Sequence, residues 1–132
     1  MKKLLALLLI TFVLVACNKE DSTAKLEIFN DSPIPISSIT LHYYVDGRPQ
    51  STGGAMNADQ SFMEKGDSFV FDILPDSDTT DKQVTVEVMA ERKGEASTSL
   101  GTIDISGYEE GERITYRIIG DSFRNLEVSK NK

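Results

Sequence analysis

A chain with one cysteine can form no intrachain disulfide, and Cys17 is the only cysteine among the 132 residues. Nor can it build a zinc site from several thiolates. Histidine is as scarce, since His42 stands alone. A metal site would have to be completed by carboxylates, and a Ser-His-Asp site would need a serine brought to His42 by the fold. No Gly-x-Ser-x-Gly segment supplies a nucleophile elbow. Tryptophan is absent. Positive charge is also short: 14 Lys and Arg face 21 Asp and Glu, a net charge of −7. Two of those cations, Lys2 and Lys3, belong to the leader described next, so the remainder is more acidic still. Such a surface repels phosphate backbones and anionic headgroups, which argues against nucleic acid as a partner.

Long apolar runs are limited to one. Leu4 to Val15 is interrupted only by Thr11, and at about a dozen residues it is shorter than the roughly 20 needed to span a bilayer. Met1-Lys2-Lys3 in front of it completes the pattern of a secretory signal peptide. The run closes in Leu14-Val15-Ala16-Cys17, which resembles the lipobox read by bacterial signal peptidase II. The resemblance implies cleavage before Cys17 and a diacylglycerol on its thiol. Each buried methylene is worth about 0.8 kcal/mol, and two chains give stable anchoring. The expected organisation is a signal peptide over 1–16, a lipidated cysteine with a flexible tether over 17–24, and one domain over 25–132. Asn18 is compatible with outer-membrane sorting. Lys19-Glu20-Asp21 resembles the lysine-plus-two-acids signal of surface lipoproteins of Bacteroidota. The expected location is therefore the cell envelope, lipid-anchored at the outer membrane, on either face.

Beyond the tether the hydrophobic period becomes two. Leu26 and Ile28 alternate with Lys25 and Glu27; Ile39, Leu41, Tyr43 and Val45 lie opposite Thr40, His42 and Tyr44; Phe69, Phe71 and Ile73 alternate with Val70 and Asp72. Val84, Val86, Val88 and Ala90 follow, then Ile103 with Ile105, then Ile114, Tyr116 and Ile118, then Leu126 with Val128. This alternation predicts half-buried strands, with Leu41, Tyr43, Phe71, Val86, Val88 and Tyr116 facing inward. Gly-containing turns such as Asp46-Gly47, Lys65-Gly66-Asp67 and Lys93-Gly94-Glu95 separate the runs. About seven short strands with frequent turns read as an all-β, antiparallel β-sandwich.

Two stretches, Asn30-Asp31-Ser32 ahead of the Ile39–Val45 strand and Gly66-Asp67-Ser68 ahead of Phe69, resemble the turn chemistry of small immunoglobulin-like modules of envelope lipoproteins. The resemblance implies an immunoglobulin-like sandwich, although the immunoglobulin disulfide and buried tryptophan are both missing. A transthyretin-like sandwich, as in the lipoprotein of type VI secretion systems, is the alternative.

Three groups of polar residues are candidates for chemistry. Catalysis finds little to work with: His42 falls on the polar face of its strand, and a carboxylate pair such as Asp72 and Glu87 would need the fold to bring it together. Asp72, Asp76, Asp78 and Asp81 could offer oxygens to calcium, although no glycine and closing glutamate give them EF-hand spacing. The stretch from Asp46 to Gln60 reads as one long polar loop led into by Tyr44, and long loops on rigid scaffolds carry recognition. Tyr44 beside it and Arg48, Met56 and Asn57 within it are the candidate partner-binding residues, for an envelope protein or a glycan. The expected function is non-catalytic: a lipid-anchored binding or structural module, with a small-ligand or calcium binder as the alternative.

Overall fold

The structure is a computed structural model that describes residues 23–73 and 81–131. Its strands form two four-stranded sheets. The first contains β1 (Ala24–Asn30), β4 (Ser68–Ile73), β7 (Arg113–Ile119) and β8 (Glu127–Lys130), in the order β4-β1-β7-β8. The second contains β2 (Ser38–Val45), β3 (Arg48–Ala55), β5 (Val84–Glu91) and β6 (Thr98–Asp104), in the order β3-β2-β5-β6. Every pairing is antiparallel except that of β1 with β7. The expected antiparallel sandwich is thus formed, with eight strands. In immunoglobulin order the first two strands share a sheet; here β1 and β2 lie in different sheets, so the strand order is not the immunoglobulin one.

The inner faces carry the alternating rows. Leu26, Ile28, Ile39, Leu41, Val86, Val88 and Ile118 are wholly buried between the sheets. Tyr43, Phe71 and Tyr116 lie in the same rows, half-buried, and pack against the margins of that core. Full burial of one such aliphatic side chain is worth about 1.5–3 kcal/mol, so the register expected from sequence is the one that stabilises the fold.

A polar knot turns the chain from the first sheet to the second. Asn30, at the end of β1, is fully buried. Its amide donates to the carbonyls of Ile34 and Met63 at 2.8 and 2.9 Å. Its carbonyl accepts from the Ser32 amide and hydroxyl at 3.1 and 2.7 Å. A buried amide is tolerated only when paired, and this one is paired at both ends. Ile36 and Met63, also fully buried, close the corner as an isolated bridge.

The structure corrects the long loop expected over Asp46 to Gln60. Asp46 and Gly47 both take positive φ, 49° and 75°, which is the demand of a two-residue type I′ hairpin turn. The chain therefore returns at once along β2 as β3, with Val45 paired to Arg48 and Ile39 to Ala55. As an edge strand β3 can be built of small polar residues, so no alternation announces it. The true loop is only residues 56–62, between β3 and the Met63 bridge.

Candidate functional site

The fold has two poles. Thr23 leads into β1 at the near pole, where the start of β1 pairs with Ile73 and Arg113. The far pole lies where β1 ends: Asn30, Met63 and Ile36 meet there, and Ser37 donates to the Glu91 carbonyl at 2.8 Å. Strand β3 runs from one pole to the other. At about 3.3 Å per residue it separates Arg48 from Ala55, the neighbour of Met56, by roughly 23 Å. The four residues expected to form one surface therefore fall into two pairs.

At the near end, Tyr44 lies on the outer face of the second sheet and its hydroxyl donates to the Glu87 carboxylate at 3.3 Å. Ser99 donates to the other oxygen of Glu87 at 2.8 Å. Beside them His42 Nδ1 lies 3.0 Å from Thr52 Oγ1. Arg48 is exposed at the start of β3. Asp72 is on the other sheet, paired with Lys25 at 2.6 Å, so the carboxylates of Asp72 and Glu87 are not brought together. Of the four candidate calcium ligands, Asp76 and Asp78 lie outside the described residues, and Asp81 is exposed. Among the described residues no group of three or more His, Cys, Asp or Glu is arranged to hold a metal ion. Cys17 also lies outside the described residues, among which no helix is long and apolar enough to cross a membrane.

The far end is different in kind. Met56 is 62% exposed and Phe62 is 42% exposed. Both line one cleft of about 690 Å³, whose opposite wall is the β5–β6 hairpin with Glu91, Arg92, Lys93 and Glu95. Asn57, expected to touch a partner, instead holds the loop. Its side-chain amide donates to the Ser61 carbonyl, the Ser61 hydroxyl and the Phe62 carbonyl, all between 3.1 and 3.2 Å. Asp59 accepts from the Ser61 amide at 3.0 Å, and the Ser61 hydrogen bonds hold its carboxyl below the usual aspartate range. Phe62 and the hairpin wall were not expected from sequence. The available signal was Phe62 itself, a large apolar residue flanked by Ser61 and by a Met63 that the corner buries.

No protein-family model matches the chain, and no curated protein matches it. Among solved structures it is similar to an NMR structure of a protein from Eubacterium rectale, with 17% identity and a TM-score of 0.48 over 89% of this chain and 96% of that one. It is also similar to part of the structure of a disulfide-locked mutant of Intermedilysin with human CD59, with 8% identity and a TM-score of 0.42. That match covers 83% of this chain and 24% of the other. At these values neither adds to the fold argument made from the strands.

Proposed function

We propose that the protein is a lipid-anchored, non-catalytic β-sandwich lipoprotein of the bacterial cell envelope, acting as a binding or structural accessory module at the outer membrane. The observation that carries this reading is Leu14-Val15-Ala16-Cys17 at the end of a short apolar run, followed within a few residues by the first strand of a compact sandwich. The anchor enters at the near pole, so the far pole, with exposed Met56 and Phe62, is free to face other molecules. Soluble proteins seldom keep large apolar side chains clustered in solvent without a use for them.

The test is metabolic labelling with palmitate, followed by membrane fractionation. Wild-type protein should take up label and sediment with membranes. Cys17→Ser should take up none and appear in the soluble fraction. Equal labelling of the two proteins would remove the lipoprotein reading.

A further inference from the structure

Of the four edge strands, β4 is the one left unguarded. Strands β6 and β8 lie against each other. Strand β3 carries Pro49, Gly53 and Gly54, and its pairing with β2 is bulged between Tyr43 and Tyr44, all of which discourage a further strand. The six residues of β4, Ser-Phe-Val-Phe-Asp-Ile, include no proline, glycine or lysine. They pair with β1 in unbroken register, and among the described residues no strand lies on their other side. A flat apolar edge of this kind is a template for another strand.

The backbone decides which groups this edge offers. Successive residues of a strand turn their N–H and C=O to opposite sides. Lys25 donates its amide to the Glu112 carbonyl, toward β7, and Asn30 donates its amide to the Asp67 carbonyl, toward β4. Leu26 and Ile28 therefore turn their backbone groups to Phe71 and Phe69, their partners in register. Ser68, Val70 and Asp72 turn theirs to the open side. Val70 lies at the middle of these three, and it is 46% exposed.

The edge is also complementary to itself. Ser68-Phe69-Val70-Phe71-Asp72 reads nearly alike in both directions. In an antiparallel pair of copies centred on Val70, each Val70 meets the other, each Phe69 meets Phe71 of the other copy, and each Ser68 meets Asp72. A two-fold interface requires such a match, and aromatic cross-strand pairs stabilise it. Centring on Asp72 would instead oppose two carboxylates. The net charge of −7 does not fall on this seam, because Asp72 is paired with Lys25 at 2.6 Å and Glu27 with Arg113 at 2.7 Å. Phe69 of the second copy would stand beside Phe71, over the groove of about 490 Å³ that Phe71, Tyr43 and Ile73 help to line.

We infer that β4 is a self-association edge: two copies of this chain join their first sheets antiparallel through Ser68 to Asp72, about a two-fold axis at Val70. That axis stands perpendicular to the sheet, so two copies anchored in one membrane pair with their strands along its surface. The seam is short beside the roughly 1,600 Å² of a stable interface, and pairing therefore depends on copies being held close together. The inference deepens the structural reading given above and rests on its lipid anchor.

The experiment is cysteine cross-linking of the full lipidated chain in native membranes, with copper-phenanthroline as oxidant and non-reducing gels as readout. Val70→Cys should form a disulfide-linked dimer at least about tenfold faster than Gln50→Cys, an exposed control on β3, because paired thiols react at a high effective concentration. Asp72→Cys alone should stay at the control rate. Its two copies would lie four residues apart along the seam, roughly 13 Å, beyond the reach of a disulfide. Ser68→Cys and Asp72→Cys expressed together should cross-link with each other. None of these side chains belongs to the core, so thermal melts of the variants should match the wild type. Val70→Cys cross-linking no faster than Gln50→Cys, or Asp72→Cys alone cross-linking as fast as Val70→Cys, would overturn the inference. So would capture of a different protein by Val70→Cys in place of its own copy. Palmitate labelling of the same membranes reports on Cys17 separately. Label without the Val70 cross-link fails the edge alone, and absence of label fails the anchor.

Discussion

The two margins of the sandwich, where the edges of one sheet face the edges of the other, are built differently. On one side β6 and β8 lie against each other. On that side Gly101, at φ 118°, sits at a bulge opposite Val88, and a Cβ there would meet Val128 Cγ2 at an ordinary 3.5 Å. On the same side the chain doubles back after β7, and a Cβ on Gly120 would fall 2.5 Å from the Asn125 carbonyl oxygen. On the other side, the edges β3 and β4 leave a groove of about 490 Å³ lined by Tyr43, Phe71, Ile73 and Val84 among others. Glycine is present there as well, but a Cβ on Gly53 would meet only Tyr43 Cε2, at an ordinary 3.9 Å. One margin uses glycine because its backbone takes positive φ at Gly101 and Gly120 and, at Gly120, because a neighbouring backbone comes close. The other uses it as filler in an edge strand, where Pro49 and the bulge between Tyr43 and Tyr44 restrain further strand pairing.

The largest effect should come from attacking the closed margin at its tightest point. Gly120→Ala places a methyl against backbone, at φ 140°, where neither neighbour can yield cheaply. The expected loss is about 3 kcal/mol in urea denaturation, combining overpacking with backbone strain. A loss under about 1 kcal/mol would mean that the return from β7 to β8 is adjustable and the contrast between margins weaker than drawn.

A paired substitution sharpens the comparison through its sign. Gly101→Ala should destabilise by about 1–2 kcal/mol, because its positive φ penalises any side chain. Gly53→Ala should stabilise by about 0.5 kcal/mol, because it lowers the entropy of the unfolded chain and meets no obstacle. Thermal melts of both variants against wild type read the two signs directly. If both changes moved stability the same way, glycine would not distinguish the margins.

The same devices decide how much the sequence discloses. Strand β2 is legible because Ile39 to Val45 alternates without a break. Strand β6 is legible only as Ile103 and Ile105, because the bulge leaves a spacing of three between the buried residues Leu100 and Ile103. Strand β3 is invisible to hydrophobic patterning, and only the Asp46-Gly47 turn hints at it. Phe123 is buried from a 3-10 turn, Phe123–Asn125, whose period is not two. The order of strands depends on β1 joining β7 across almost the whole domain, a contact no local pattern encodes. For the candidate site, Met56 could be named from sequence, but its separation from Tyr44 and its meeting with Phe62 and Lys93 are products of the tertiary fold.

The smallest effect concerns acid, and it compares two loops. Asp59 in the far-pole loop and Asp104 at the end of β6 are both exposed carboxylates held below the usual aspartate range, chiefly by side-chain and backbone hydrogen bonds from Ser61 and Ser106 respectively. Because the folded pKa is the lower one, each carboxylate's contribution is complete above the ordinary aspartate pKa. It is lost as pH falls through the depressed folded value. The two loops are not equally dependent on it. Ser106 keeps a second hold after protonation, since its hydroxyl accepts from the Val84 amide at 2.7 Å and donates to the Val84 carbonyl at 3.3 Å. Among the described residues Ser61 has no comparable tie to a strand: its remaining partner there is Asn57, within the same loop. Amide hydrogen exchange followed by NMR from neutral pH into the acid range, corrected for intrinsic rates, should show protection at Ser61 falling well before that at Ser106. Asp59→Asn should reproduce the loss at neutral pH while leaving Ser106 untouched. Parallel loss at both amides would show that acid loosens the sandwich as a whole, and that the loop presenting Met56 and Phe62 is not set by its own hydrogen bonds.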